Sequence, residues 1–146
     1  MLSKVYGKNS YCGPGAIATV TGLTSDEAAR ALREVTGKRS IHGVTSCELE
    51  ETLEYLGIDY QYYAFTEYYD KKLKQVIHRN PTLTQFIKWR DSVGLKNKTF
   101  IVDLTSHFIA VEGDYANDNC TKSKVLIKDF GMTRTRVKRA RLIKGF

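Results

Sequence analysis

The 146-residue sequence lacks any apolar run near the roughly 18–20 residues that cross a bilayer. Residues 1–11 also lack the apolar segment of a secretory signal peptide. We therefore expect no transmembrane helix, no signal peptide and no membrane partner.

Cysteine is scarce, with three residues far apart, Cys12, Cys47 and Cys120, and no CxxC pair. No histidine stands at metal-ligand spacing beside any of them, which argues against a structural zinc site. An odd number of cysteines without a secretion signal predicts free thiols in a reducing, cytoplasmic compartment. We expect no cofactor, Cys47 to be structural and Cys120 to be exposed.

Acidic residues almost disappear after position 120, where Asp129 is the single acid among nine basic residues. The rest of the chain is nearly neutral, so the formal net charge of +7 comes from this last segment. A solvated strand face, a site for nucleic acid or another polyanion, and recognition of an acidic peptide all fit such a segment. The candidate polyanion-binding residues are Arg134, Arg136, Lys138, Arg139 and Arg141.

Apolar residues make up 42% of the chain and aromatic residues 11%, which excludes a disordered polypeptide. The first half reads as helical, because three capping boxes each precede a helical apolar pattern. A length near 150 residues predicts one domain, residues 1–146. The predicted elements of this half are a helix over 12–22, helices after the boxes at Thr24, Thr45 and Thr82, a strand over 58–65 and a charged helix over 69–78.

Beyond Gly94 the pattern changes to strands separated by turn residues, at 99–104, 107–112, 124–130 and 133–143. Helices followed by consecutive strands with short links indicate an α+β fold. We expect N-terminal helices packed on a C-terminal antiparallel sheet of about four to five strands.

Cys12 lies at the predicted start of an apolar helix, in the sequence NSYCGPGA. Unpaired backbone N–H groups and the positive end of the helix dipole favour the nucleophilic thiolate there. The same N–H groups could hold an oxyanion. A small core cysteine is the alternative interpretation.

A nucleophilic thiol needs a base, and His107 is the candidate because it begins a strand directly after a polar turn. His78 reads as a surface residue and His42 as a loop residue. If strand 107–112 pairs with 124–129, Asp129 would lie beside His107 and fix its tautomer. Asp103 is the competing acid, but it lies within a strand.

The segments YCGPGA, SHFIAVEGD and IKDF, in that order, resemble the Cys–His–Asp order of papain-like cysteine peptidases, in particular the peptidase domains that process bacteriocin leaders. TGLTSDEAARAL, PTLTQFIKW and RVKRARLI also resemble small phage-encoded papain-like proteins, which would place the protein in the host cytoplasm. The resemblance extends from about Asn9 to Ile143. It implies Cys12 as nucleophile, His107 as general base and Asp129 as orienting acid.

Papain-like enzymes usually carry a glutamine about six residues before the cysteine, where this sequence has Tyr6. Asn9 has the same functional group at a different offset, so Asn9 or backbone N–H groups alone would hold the oxyanion. We expect a small thiol hydrolase, a peptidase or amidase, that acts on a peptide or protein through a thioester intermediate. The alternative is a weak or inactive papain-like binding protein that contacts nucleic acid or a host protein through its basic strands.

Overall fold

A computed structural model describes residues 2–65, 68–77 and 79–145. No helix among these residues is long and apolar enough to cross a membrane. The helices are α1 (Cys12–Thr21), α2 (Ser25–Thr36), α3 (Ser46–Tyr55) and α4 (Leu83–Ser92). The strands are β1 (Asp59–Ala64), β2 (Tyr68–Asp70), β3 (Gln75–Ile77), β4 (Thr99–Leu104), β5 (His107–Glu112), β6 (Tyr115–Asn117), β7 (Val125–Leu126) and β8 (Val137–Gly145), with a 3₁₀ helix at Ile127–Asp129.

The three predicted capping boxes are confirmed, and each begins a helix. Thr24, Thr45 and Thr82 each accept a hydrogen bond from the backbone N–H three residues later, and the Glu or Gln side chain at that position accepts one from the backbone N–H of the threonine. These reciprocal bonds satisfy N–H groups that a helix start leaves without partners. Helix α1 ends as predicted at Gly22, which has a φ of 80° that glycine adopts without strain.

The main sheet has six antiparallel strands in the order β1-β8-β4-β5-β6-β7. The predicted α+β class and antiparallel sheet are confirmed, although the sheet has more strands than expected. The predicted strand at 58–65 joins the sheet as β1, at its edge beside β8. Strand β6 lies between the predicted strands at 107–112 and 124–130, where only a link was expected.

Two expected elements are wrong. The charged helix over 69–78 is instead the hairpin β2–β3, because Tyr68, Tyr69, Val76 and Ile77 favour strands and Lys74 turns the chain at a φ of 52°. His78 lies outside the described residues. The strand over 124–130 is strand only at Val125–Leu126, and then becomes the 3₁₀ helix.

The sheet packs apolar residues on both faces, which creates two cores. Phe100 and Val102 of β4 join Phe86 of α4 in one core. Ile101, their neighbour in the strand, and Phe108 of β5 join the residues of α1, α2 and α3 in the other. Because successive strand residues face opposite sides, β4 lies between the two cores and is buried along nearly its whole length.

A buried ion cluster joins the sheet to α3. Arg141 of β8 is completely buried, and its Nη1 donates to Oδ1 of Asp103 over 2.6 Å. The same guanidinium donates to Oε1 of Glu50 from Nε, over 2.9 Å, and Nη2 lies 2.8 Å from that oxygen. Ser46 donates to the other oxygen of Asp103, over 2.6 Å. These bonds fix the start of α3 over strands β4 and β8.

Asp103→Asn leaves the Arg141 guanidinium buried with one carboxylate fewer, so we expect the free energy of unfolding to fall by about 3 kcal/mol. Urea denaturation at neutral pH measures it. The matched control is Asp114→Asn, which removes an exposed pair with Lys96 and should change the stability by less than about 0.5 kcal/mol. Equal effects from the two variants would show that the buried cluster does not stabilise the fold.

Candidate active site

The Cys12 side chain lies at the N-terminus of α1, as the sequence predicted. The helix is buried from Gly13 to Thr19, so its first residue is held at the edge of the core and not within it. Cys12 is partly exposed and forms no disulfide. Its sulfur is hydrogen-bonded by the His107 side chain and by the backbone N–H of Phe108.

His107 begins β5, also as predicted, after a turn in which Ser106 has a φ of 59°. Its Nε2 lies 2.7 Å from Oδ2 of Asp118, a carboxylate of which only 3% is exposed. With Nε2 engaged by Asp118, the remaining ring nitrogen, Nδ1, is the atom left for Cys12. The structure therefore aligns a thiol, an imidazole and a carboxylate.

The ionisation of the three groups favours a charged pair. Burial alone would raise the pKa of the Cys12 thiol, but the hydrogen bonds from His107 and Phe108 and the charge of the ring outweigh it and lower the pKa. The hydrogen bond to Asp118, helped by Cys12, raises the pKa of His107 to about 9. The lowered pKa of the thiol and the raised pKa of the imidazole both favour a thiolate beside an imidazolium, which is the reactive form of a cysteine.

Asp118 stays ionised because backbone N–H groups of its own loop donate hydrogen bonds to the carboxylate. Burial alone would raise its pKa, but His107 and two backbone donors lower it. Those donors are the N–H groups of Cys120 and Thr121, both of which point to Oδ1. One oxygen of Asp118 is therefore held by the loop while the other holds the imidazole.

The loop itself is anchored to α1. The buried Asn117 side chain donates to Thr19 of α1 over 2.6 Å and to the backbone oxygen of Ser3 over 2.8 Å. A side chain at Gly15 would come within 3.0 Å of the Asn119 Cα and 3.1 Å of its backbone nitrogen. The absence of a side chain at Gly15 thus lets the loop that carries Asp118 lie directly on the helix that carries Cys12.

The prediction that Asp129 lies beside His107 is wrong. Strand β5 pairs with β6 and not with residues 124–129, and Asp129 is an exposed residue of the 3₁₀ helix beyond β7. The sequence did carry a signal for the correct pairing. Gly113 and Asp114 form the two-residue link of a β5–β6 hairpin, with Glu112 paired to Tyr115, and such a link returns the chain toward His107 at Asp118.

A cleft of about 420 Å³ opens over Cys12 and His107. One wall is the segment between α2 and α3, which includes His42 and Val44, and the other comes from β4 and β8. His42 is held there by Tyr11 and Ser40, whose hydroxyls lie 3.1 and 2.7 Å from its two ring nitrogens. The lining residues are Cys12, His42, Gly43, Val44, Thr45, Ser46, Asp103, Leu104, Ser106, His107, Phe108, Lys138 and Arg139.

Asn9, the expected oxyanion donor, is not among the residues that line this cleft. Its side-chain oxygen accepts the backbone N–H of Tyr11 over 3.0 Å, a local turn that leads into α1. Asp103, the competing acid, does line the cleft, but it binds Arg141 and Ser46 and not His107.

The five candidate polyanion-binding residues do not form one surface. Arg141 is buried in the ion cluster, and Arg136 donates to the backbone oxygen of Asn80 over 2.9 Å. Arg139 lies 3.6 Å from Asp103, which leaves Arg134 and Lys138 as the exposed members. The structure therefore does not present these residues as a continuous polyanion site.

The other two cysteines are both exposed, which confirms the prediction for Cys120 and shows that Cys47 is not a packed core residue. Across residues 2–65, 68–77 and 79–145 no group of three or more His, Cys, Asp or Glu side chains could hold a metal ion.

Asp118→Asn removes the carboxylate that most raises the pKa of His107, through its hydrogen bond and then its charge, so we expect that pKa to fall from about 9 toward the ordinary value of about 6.5. NMR titration of the imidazole resonances measures this pKa. Asp129→Asn removes the same charge from an exposed site and should leave the titration of His107 unchanged. A shift with Asp129→Asn and none with Asp118→Asn would contradict the arrangement.

No family model and no curated protein sequence matches the chain. Among solved structures, the chain is similar to a double glycine motif protease from an AMS/PCAT transporter, crystallised in complex with the leader peptide. The TM-score is 0.52 at 13% sequence identity, and the alignment covers 100% of this chain and 93% of that one. That neighbour is a papain-like cysteine peptidase domain. The chain therefore has a papain-like α+β fold.

Proposed function

We propose that the protein is a cysteine peptidase, or a closely related thiol hydrolase, in which Cys12 is the nucleophile, His107 the general acid and base, and Asp118 the orienting acid. The observation that carries this proposal is the Cys12–His107–Asp118 alignment, with the pKa of the thiol lowered and that of the imidazole raised. A papain-like fold around the same residues supports it.

In the proposed reaction the Cys12 thiolate attacks the carbonyl carbon of an amide. The His107 imidazolium gives its proton to the leaving nitrogen, so the C–N bond breaks, the amine departs and a thioester remains. Water then attacks the thioester while His107 takes one of its protons. The C–S bond breaks, the acid product leaves, and the proton on His107 restores the thiolate–imidazolium pair.

The oxyanion of each tetrahedral intermediate would be held by backbone N–H groups at the start of α1. A helix start leaves such groups without intrahelical partners and carries the positive end of the helix dipole. The side-chain oxygen of Asn9 accepts a hydrogen bond within a local turn, and Asn9 does not line the cleft. We therefore assign the oxyanion-binding role expected for Asn9 to backbone N–H groups.

A peptide is the substrate class that the fold neighbour favours, since that protease was crystallised with a leader peptide. The cleft over Cys12 has a volume of about 420 Å³ and lies between two walls, which gives room for a short stretch of peptide. We therefore extend the proposal to peptide substrates. The resemblance to phage-encoded proteins and the cytoplasmic location stay predictions.

The reactivity of Cys12 toward iodoacetamide tests the proposed ion pair. Because the pKa of Cys12 is lowered, we expect Cys12 to be alkylated faster than Cys47 and Cys120 at about pH 6, and its rate to level off at a lower pH as the pH rises toward 8. An ordinary thiol has a pKa of about 8.5. Its alkylation rate should therefore fall by about tenfold for each unit by which the pH is lowered in that range. Mass spectrometry of each cysteine-containing peptide separates Cys12 from Cys47 and Cys120, which serve as internal controls.

His107→Ala should return the Cys12 pH profile to that of the two control thiols. If wild-type Cys12 reacts no faster than Cys120 at about pH 6, the activated thiolate is absent and the proposal is wrong.

Peptide hydrolysis tests the activity itself. We expect Cys12→Ala to abolish cleavage of a peptide library, a loss of about 10³-fold or more, whereas Cys47→Ala should retain wild-type rates. Cleavage sites are read by mass spectrometry. Residual cleavage that is equal in the two variants would assign the hydrolysis to another protein in the preparation.

A further inference from the structure

We infer that the catalytic cleft binds a carboxylate of the substrate at Lys138 and Arg139, so that its peptides are acidic. This inference rests on the proposed function, because it concerns the substrate of that site. It arises from how strand β8 enters the cleft and from the charges around it.

Both residues line the cleft although they are neighbours in one strand. In a regular strand, successive side chains point to opposite faces. Here the pairing with β4 shifts: Arg139 lies opposite Asp103, but Val137 lies opposite Leu104, so Lys138 is an extra residue on β8. A β-bulge of this kind redirects a side chain, and it brings two adjacent cations to one cleft.

The acidic residues nearby do not neutralise the wall of the cleft that β4 and β8 contribute. Asp103 already accepts from Arg141 and Ser46, and the Nε of Arg139 lies at a longer 3.6 Å. Glu50 also pairs with Arg141. Three cations, Lys138, Arg139 and Arg141, thus face two carboxylates, which leaves one net positive charge.

Lys138 is the exposed member of the wall, and within the described part of the chain it has no ion-pair partner. The thiolate, the imidazolium and Asp118 together carry one negative charge, but Asp118 does not line the cleft and only 3% of its carboxylate is exposed. Lys138 is therefore the exposed charge that an incoming group meets, and a cleft concentrates such a field. A carboxylate could bind Lys138 directly and take up the outer donors of Arg139.

Two alkylating reagents that differ in charge test the inference at Cys12. Iodoacetate carries a carboxylate and iodoacetamide does not, so the ratio of their rates reports the potential in the cleft. We expect this ratio at Cys12 to exceed the ratio at Cys120 by about three- to tenfold at low salt, and to fall as salt is added. Lys138→Gln should lower the ratio at Cys12 by about threefold or more.

The matched control is Lys144→Gln, an exposed lysine of the same strand that does not line the cleft. It removes the same charge and should leave the ratio at Cys12 unchanged. Rapid iodoacetamide labelling of Cys12 with no preference for iodoacetate, or an equal effect of the two variants, would overturn this inference and leave the peptidase proposal standing. Slow labelling by both reagents would overturn both.

Peptide competition identifies the source of the carboxylate. Three N-acetylated peptides, Glu-Ala-Gly-Gly amide, Gln-Ala-Gly-Gly amide and Gln-Ala-Gly-Gly with a free C-terminus, are tested for their ability to slow iodoacetamide labelling of Cys12. Protection by the first alone indicates a side-chain carboxylate, and protection by the third alone a C-terminal one. Either result should be lost in Lys138→Gln, whereas equal behaviour of all three peptides would show that the wall does not recognise carboxylates.

Discussion

The hydrogen bond between the Asp118 carboxylate and the His107 ring is the interaction on which the candidate site depends. It raises the pKa of the imidazole, and the charged ring in turn lowers the pKa of the Cys12 thiol. Two backbone N–H groups bind the second carboxylate oxygen, so Asp118 remains ionised although it is buried. The chemistry of Cys12 is thereby determined by a loop more than a hundred residues away in sequence.

The same sheet contains a second buried carboxylate with a different role. Asp103 lies in β4 only four residues before His107, yet it binds Arg141 and Ser46 and secures α3 to the strands. The Arg141 guanidinium compensates the cost of burying this carboxylate. The two buried acids near the cleft thus have different roles. Asp118 orients the imidazole, and Asp103 positions a wall of the cleft.

Much of the fold could be predicted because its signals are local. The capping boxes at Thr24, Thr45 and Thr82 satisfy helix N–H groups within four residues, so each helix start can be read from adjacent side chains. Strands β4 and β5 are long apolar runs separated by a short polar turn. Cys12 and His107 were found for the same reason, since each lies at an end of such an element.

Asp118 was not predicted as the partner of His107 because its position depends on strand pairing over a longer range. Strand β6 has only three residues, and its surroundings, GDYANDNCTK, are polar enough to be read as a loop. Without β6, the apolar run at 124–130 becomes the partner of β5 and Asp129 becomes the neighbour of His107. The burial of Asn117 and Asp118 in that polar stretch arises from tertiary contacts with α1 that periodicity does not encode.

The close approach of Asn119 to Gly15 has a mechanical consequence. Helix α1 and the Asp118 loop touch through backbone atoms, and backbone cannot retract as a side chain can. On the opposite side, the neighbour of Gly13 is the side chain of Val44, in the segment between α2 and α3. Val44 lines the cleft, so a side chain at Gly13 would press on the cleft itself, whereas a side chain at Gly15 would push the Asp118 loop off the helix that carries Cys12.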